Sequence, residues 1–290
     1  MNFDLLKTAL ENALKREEVS EYEIYYMSDA STSVSTLNKE VNSFSSGVSG
    51  GLCLRVVCDG KMGYASTELM TESEMSELAT RAKNNALATE KPDTVGIFKG
   101  SDSYEELKIK KVDLLSAADL KSVAVKTGEA LFAKCDKVKE GTSSQAISAG
   151  TSVRLVNSHG LDLSLDCGVN ALIAEAVVQS DGENQSDYSL KALDTAYADE
   201  TIAKTVDEAV GDALDKIGAD LVPSGKYNVV ISGKQMGSLL SVFSSAFSAK
   251  AALDGMSKLK GMEGEKIAAD IVTITDDPQR EGNTLSLIHI

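Results

Sequence analysis

At 290 residues, with 42% hydrophobic and 25% charged residues, the chain has the length for two domains with ample core and the composition of a soluble globular protein. Its 29 Lys and Arg against 44 Asp and Glu leave a net charge of −15, which argues against a direct grip on nucleic-acid phosphates, since that affinity comes from basic side chains displacing counterions. Met1–Lys7 lacks a basic region followed by an apolar core, and no stretch approaches the ~20 apolar residues of a membrane span, so no membrane association is expected and the location read from sequence is cytoplasmic.

Phe3, Leu6, Leu10, Ala13 and Leu14 recur at helical spacing, with Asn2 placed to cap the helix. Tyr22, Ile24 and Tyr26 share one face at strand spacing, and Ser31–Leu37 is β-prone, which predicts two half-buried strands. Gly51–Val57 and Met62–Ser66 flank Asp59-Gly60, a hairpin signal. Thr71 and Glu74 form a capping box for a helix burying Met75, Leu78, Ala82 and Ala86. The turn-rich stretch Pro92–Ser103 then separates this first α/β unit from a second. That second unit opens with a helix around Leu120, Val123, Thr127 and Leu131. Strands follow from about Ala146 to Leu193, turning at Asn157-Ser-His-Gly160 and at Gly182-Glu-Asn; their short connections favour antiparallel pairing. A helix with Ile202, Val206, Ala209, Ala213 and Ile217 on one face closes the unit, and Pro223-Ser-Gly225 is the clearest boundary. Beyond it, Lys226–Gly233 reads as a buried strand, Met236, Leu239, Leu240, Phe243 and Phe247 as a helix, and Gly264–Pro278 as a second strand closed by an acidic turn.

The residues that invite chemistry each have a plainer reading. Cys53, Cys58, Cys135 and Cys167 contain no C-x-x-C pair and read as structural thiols. His159 sits in a turn with no second ligand at metal spacing, and Asp276-Asp277-Pro278 reads as a strand terminator rather than a carboxylate pair. Ser241, Ser244 and Ser245 have no neighbouring base and no Gly-x-Ser-x-Gly elbow. Gly47-Val-Ser-Gly-Gly51 lacks the Gly-Lys-Ser/Thr ending of a phosphate loop and precedes a strand, which makes it a flexible lead-in. The acidic segment Asp199–Asp220 is a solvated helix face. No self-sufficient active site emerges from these residues.

Three segments in order resemble the TldD/PmbA family, whose members form a two-subunit zinc peptidase: Gly47–Thr67, Val153–Leu163 around Asn-Ser-His-Gly, and Lys226–Pro278. In the family's catalytic subunit the helix of the last segment carries His-Glu-x-x-x-His, with both histidines on zinc and the glutamate acting on water. With the two leucines kept in register, Ser241 and Ala246 stand where the histidines would be and Val242 replaces the glutamate. Only two histidines occur in the chain, His159 and His289, and neither lies near this helix. The resemblance therefore implies the PmbA (TldE) side of the family, with no metal, no cofactor and no catalytic residue of its own.

What the resemblance implies is an α+β fold. Two N-terminal α/β units with mainly antiparallel sheets, 1–90 and 104–222, precede the start of a β-rich C-terminal domain at 226–290. That domain is expected to be truncated, with 285–290 (Leu-Ser-Leu-Ile-His-Ile) looking like adapter-derived, non-native sequence. The implied partners are a TldD-type catalytic subunit, which would carry the zinc, and unfolded or modified peptides; the implied assembly is a cytoplasmic heterodimer. The alternative is a stand-alone protein-binding regulatory module of the DNA-gyrase-modulator type. An independently active hydrolase is the weakest reading, since both histidine positions of the helix are lost.

Overall fold

The structure, a computed structural model, describes residues 3–90, 96–104, 112–194 and 198–275. Two compact units divide the chain, one ending at Ala219 and one spanning Asp220–Asp277. The first contains helix α1 (Phe3–Arg16), strands β1 (Glu21–Leu37), β2 (Glu40–Cys58) and β3 (Lys61–Thr67), helices α2 (Glu72–Ala88) and α3 (Ala117–Lys134), strands β4 (Ser143–Asn157), β5 (Asp162–Ser180) and β6 (Glu183–Ala192), and helix α4 (Ala198–Leu214). The fold class is α+β, built on one antiparallel sheet in the order β3-β2-β1-β4-β5-β6.

That single sheet differs from the expectation of two α/β units with their own strands. The two half-buried strands read between Tyr22 and Leu37 are one continuous strand, β1, paired with β2 along one edge and with β4 along the other. The reason is in its buried residues. Ile24 packs with Leu10, Leu54, Leu78 and Val156 under α1 and α2, whereas Val34 packs with Leu120, Leu131, Ala146 and Leu172 under α3 and α4. Both are even-numbered positions of one unbroken β1–β4 ladder, so both helical layers lie on the same face of the sheet. Splitting the sheet would expose each core at β1. Tyr25, Met27, Leu155 and Leu163, on the other face, remain partly exposed. The described part of the separating stretch is likewise tied in: Ile97 is buried, and the Phe98 carbonyl accepts from Asn157 Nδ2 at 2.6 Å.

Local chemistry places the element ends. Thr71 caps α2 by accepting from the Glu74 N–H, and Ser116 caps α3 by accepting from Asp119; such caps contribute about 1 kcal/mol each. Asn2, the expected cap of α1, lies outside the described residues. The Asp59-Gly60 hairpin has φ of 51° and 69°, the left-handed pair of a tight two-residue turn. The same geometry recurs at Asn38-Lys39, which joins β1 to β2, and at Asp181-Gly182, one residue earlier than the turn read around Gly182-Glu-Asn. Asn38 is held there by its own side chain, which accepts from the Gly141 N–H at 2.8 Å. Two buried hydroxyls satisfy each other in the core: Thr36 and Ser144 bond at 2.7 Å, and Ser144 donates to the Ala124 carbonyl. Ile217 falls just beyond α4 but still packs on the core its helix covers.

The second unit contains helix α5 (Gly233–Val242), a 3-10 turn at Ser244–Phe247 and helix α6 (Ala249–Leu253). The buried strands expected at Lys226–Gly233 and from Gly264 are not formed among the described residues; Val230 is 98% and Ile271 95% exposed. A strand needs a neighbour's donors and acceptors, and no described segment pairs with either. The expected helix through Phe247 also breaks, at Phe243. Ser238, Ser241 and Ser244 each turn their hydroxyl onto a backbone carbonyl three or four residues back, in competition with the helical ladder.

Candidate functional site

Ser241 and Val242 occupy the last turn of α5, and Ala246 lies in the 3-10 turn that follows. Ser232 caps the helix, accepting from the Gln235 N–H. The apolar residues that define the helix in sequence, Met236, Leu239, Leu240, Phe243 and Phe247, are all exposed. Tested against zinc, the three positions do not fit. Valine and alanine have no donor atom, and the Ser241 hydroxyl is already given to the Ser238 carbonyl at 2.7 Å. Among the described residues no group of three or more His, Cys, Asp or Glu comes together as a metal site.

The other singled-out residues are dispersed over the fold. His159 is exposed in the β4–β5 turn, and its N–H donates to Asn157 Oδ1 at 2.9 Å. Asn157 organises that turn: buried, it also accepts from the Leu161 N–H and donates to Phe98. Ser158 fastens the turn to β1, accepting from the Tyr22 N–H while its own N–H donates to the Tyr22 carbonyl. The Asn-Ser-His-Gly sequence is thus a structural clasp, and Gly160, at φ 91°, lets the chain reverse. Gly47–Gly51 lies inside β2, which is already running from Glu40, rather than leading into a strand. The four cysteines are free and partly buried. Burial pushes the Cys53, Cys58 and Cys167 thiols up, away from the reactive thiolate. Asp276, Asp277 and His289 lie outside the described residues.

A groove of about 480 Å³ lies in the first unit, where the segment carrying Leu114 crosses β4 and β5. Sequence reading missed it. Its signal was the cross-strand pair Gly150 and Gly168, where a Cβ would come within 2.9 Å of Leu114. Asp113 and Asp166 line it, but no nucleophile–base pair does.

Residues 22–86 match the sequence model of PmbA/TldA metallopeptidase domain 1, and residues 224–288 that of the PmbA/TldA metallopeptidase C-terminal domain. An uncharacterized protein of Methanocaldococcus jannaschii, MJ0231, is 29% identical over 277 residues, covering 92% of this chain and 61% of that protein. A crystal structure from Bacteroides thetaiotaomicron, named as a candidate modulator of DNA gyrase, superposes with a TM-score of 0.80 at 21% identity, covering 96% of this chain and 64% of the other. TldE from Thermococcus kodakarensis superposes at 0.62 with 18% identity, covering 87% and 58%. At these identities the two structures speak for the fold.

The fold and the two matched segments place the molecule in a class of multidomain α+β proteins related to metallopeptidases. The chain resembles the PmbA/TldD family over those two segments. It spans about three fifths of the length of the relatives it matches.

Proposed function

We propose that this chain is a PmbA/TldE-type subunit that pairs with a zinc-bearing TldD-type partner to form a cytoplasmic peptidase for unfolded or modified peptides. The observation that carries this reading is the run Ser241, Val242 and Ala246, which offers neither ligand nor base where the catalytic subunit's motif would need both. The partner supplies zinc and the catalytic glutamate; this chain supplies assembly and peptide enclosure. No helix of the described residues is long and apolar enough to cross a membrane, which accords with that setting.

Two outcomes test it. The purified protein is expected to hold no stoichiometric zinc by metal analysis, and about one tightly bound zinc per chain would refute the reading. Co-expression with the TldD-type protein of the same genome is expected to give a complex with peptidase activity that neither chain shows alone. Absence of any association in a pull-down would favour a second reading, a stand-alone regulatory module, which rests on the gyrase-modulator naming of the Bacteroides relative. In that role the −15 charge suits a basic protein surface better than DNA. A neighbouring reading frame encoding His-Glu-x-x-x-His separates the two readings before any protein is made.

A further inference from the structure

Strand β3 ends the sheet on one side, so one of its edges faces no other strand among the described residues. An antiparallel strand turns the carbonyl and N–H of every second residue away from its partner, and a row of such groups is a template on which another strand can add. On β3 the row falls at Met62, Tyr64 and Ser66, and side chains of α2 reach it. Asn85 Nδ2 donates to the Tyr64 carbonyl at 2.7 Å, and Arg81 donates to the Ser66 carbonyl at 3.3 Å. Thr89, the residue that ends α2, continues the row with its hydroxyl 3.5 Å from the Met62 carbonyl, while its shorter bond, 3.0 Å, goes to the Asn85 carbonyl. Glu74 holds the Arg81 guanidinium in place through an ion pair at 2.7 Å.

Spacing joins these contacts into one device. Four residues of helix rise about 6 Å and two residues of strand about 6.6 Å, so a helix laid antiparallel to a strand offers one side chain for each outward carbonyl. Arg81, Asn85 and Thr89 advance along α2 as Ser66, Tyr64 and Met62 retreat along β3. The match requires the helix to lie close, and Gly63 allows it, since a Cβ there would stand 2.2 Å from the Ala82 carbonyl oxygen. Ala82 and Ala86 each follow one of the donors in sequence, so the turns that press on Gly63 also carry Arg81 and Asn85 over the edge. We propose that α2 guards this edge: Arg81 and Asn85 occupy the carbonyls that an added strand would need, and strand addition at β3 is refused while the helix is seated. The far end of the sheet carries a lesser version, where Lys216, just beyond α4, donates to the Ser186 carbonyl of β6 at 2.8 Å. This role is independent of any pairing with a TldD-type subunit.

Sedimentation velocity of the full chain over a range of concentrations tests this, with Arg81→Ala/Asn85→Ala set against the wild type. Alanine favours the helix and removes both donors, so α2 stays formed while the Tyr64 and Ser66 carbonyls are released. The double variant is expected to associate at a concentration roughly tenfold below that needed by the wild type. Arg81→Lys/Asn85→Gln, which keeps a donor at each station, is expected to sediment as the wild type does. Adding Ser66→Pro to the double alanine variant is expected to reverse the gain, because proline withdraws an outward N–H and leaves the bonds to β2 in place. A second measurement needs no variant: by NMR, the side-chain amide protons of Asn85 are expected to exchange with solvent more slowly than those of Asn84, its exposed neighbour. A double alanine variant that is folded by circular dichroism and sediments as the wild type overturns the proposal. So does a gain in association that is equally large in the lysine/glutamine variant or unchanged by Ser66→Pro, or equal exchange of the two side-chain amides.

Discussion

Limited proteolysis is expected to cut the chain first between Asp220 and Lys226, to erase the fragment downstream, and to leave a resistant core ending near Ala219. Susceptibility follows the free energy of local opening, which is low where few apolar side chains are buried. The first unit buries two clusters that include Leu10, Ile24, Leu54, Leu78, Leu120, Leu131 and Leu172. Each fully buried side chain of this size stabilises by about 1.5–3 kcal/mol before entropy is counted. From Asp220 to Thr275 the one buried residue is Ser257, while Leu221 at the boundary is 94% exposed. Time-resolved mass spectrometry of the fragments checks the expectation. Early cutting inside β4 or β5, or uniform resistance through residue 275, would show that the stability is distributed otherwise.

Gly63→Ala is expected to destabilise the first unit by about 3 kcal/mol or more, at the upper end of overpacking effects. A Cβ at Gly63 would stand 2.2 Å from the Ala82 carbonyl oxygen and 2.4 Å from the Ala86 nitrogen. Both are backbone atoms of α2, so no side-chain rotation relieves the contact; the helix must lift from β3, taking Met75, Leu78 and Ala82 out of their cluster. Gly47→Ala in β2 is the matched control, because nothing lies within 4 Å of the place its added methyl would take. That change is expected to shift stability by less than about 1 kcal/mol, in the stabilising direction if anything. Urea unfolding followed by circular dichroism, with midpoints compared at a common slope, measures both. Equal midpoints for Gly63→Ala and wild type would mean that α2 does not pack as closely as the backbone distances require.

How much of this was legible in the sequence depends on the range of the interaction. Helix α2 is written locally: the Thr71 cap lies beside apolar residues at helical spacing, and the structure uses it as such; α3 was read from its apolar spacing alone, and the structure adds the Ser116 cap. The Asp59-Gly60 hairpin is equally local, since both residues tolerate the positive φ of a two-residue turn. Asn38-Lys39 makes the same turn without glycine, and the cause is out of sequence range: Asn38 is anchored by the Gly141 N–H. Of the candidate site, only the residue types Ser241, Val242 and Ala246 were legible in the sequence. Its local shape was not, since the serine hydroxyls that break the helix also read as ordinary helix-surface residues.

Sequence by itself determined the element types of the first unit, the hairpin at Asp59-Gly60 and the absence of zinc-ligating residues from the α5 run, because spacing, turn chemistry and donor atoms belong to neighbouring residues. Tertiary structure alone decided that the two expected α/β units share one sheet. That outcome rests on β1 pairing with both β2 and β4 while carrying Ile24 into one core and Val34 into the other. It also decided that the apolar runs at Lys226–Gly233 and Ile271–Thr275 are not strands among the described residues. Apolar alternation records a preference for a sheet, but a strand exists only where another backbone supplies the complementary donors and acceptors, and no single segment encodes its partner.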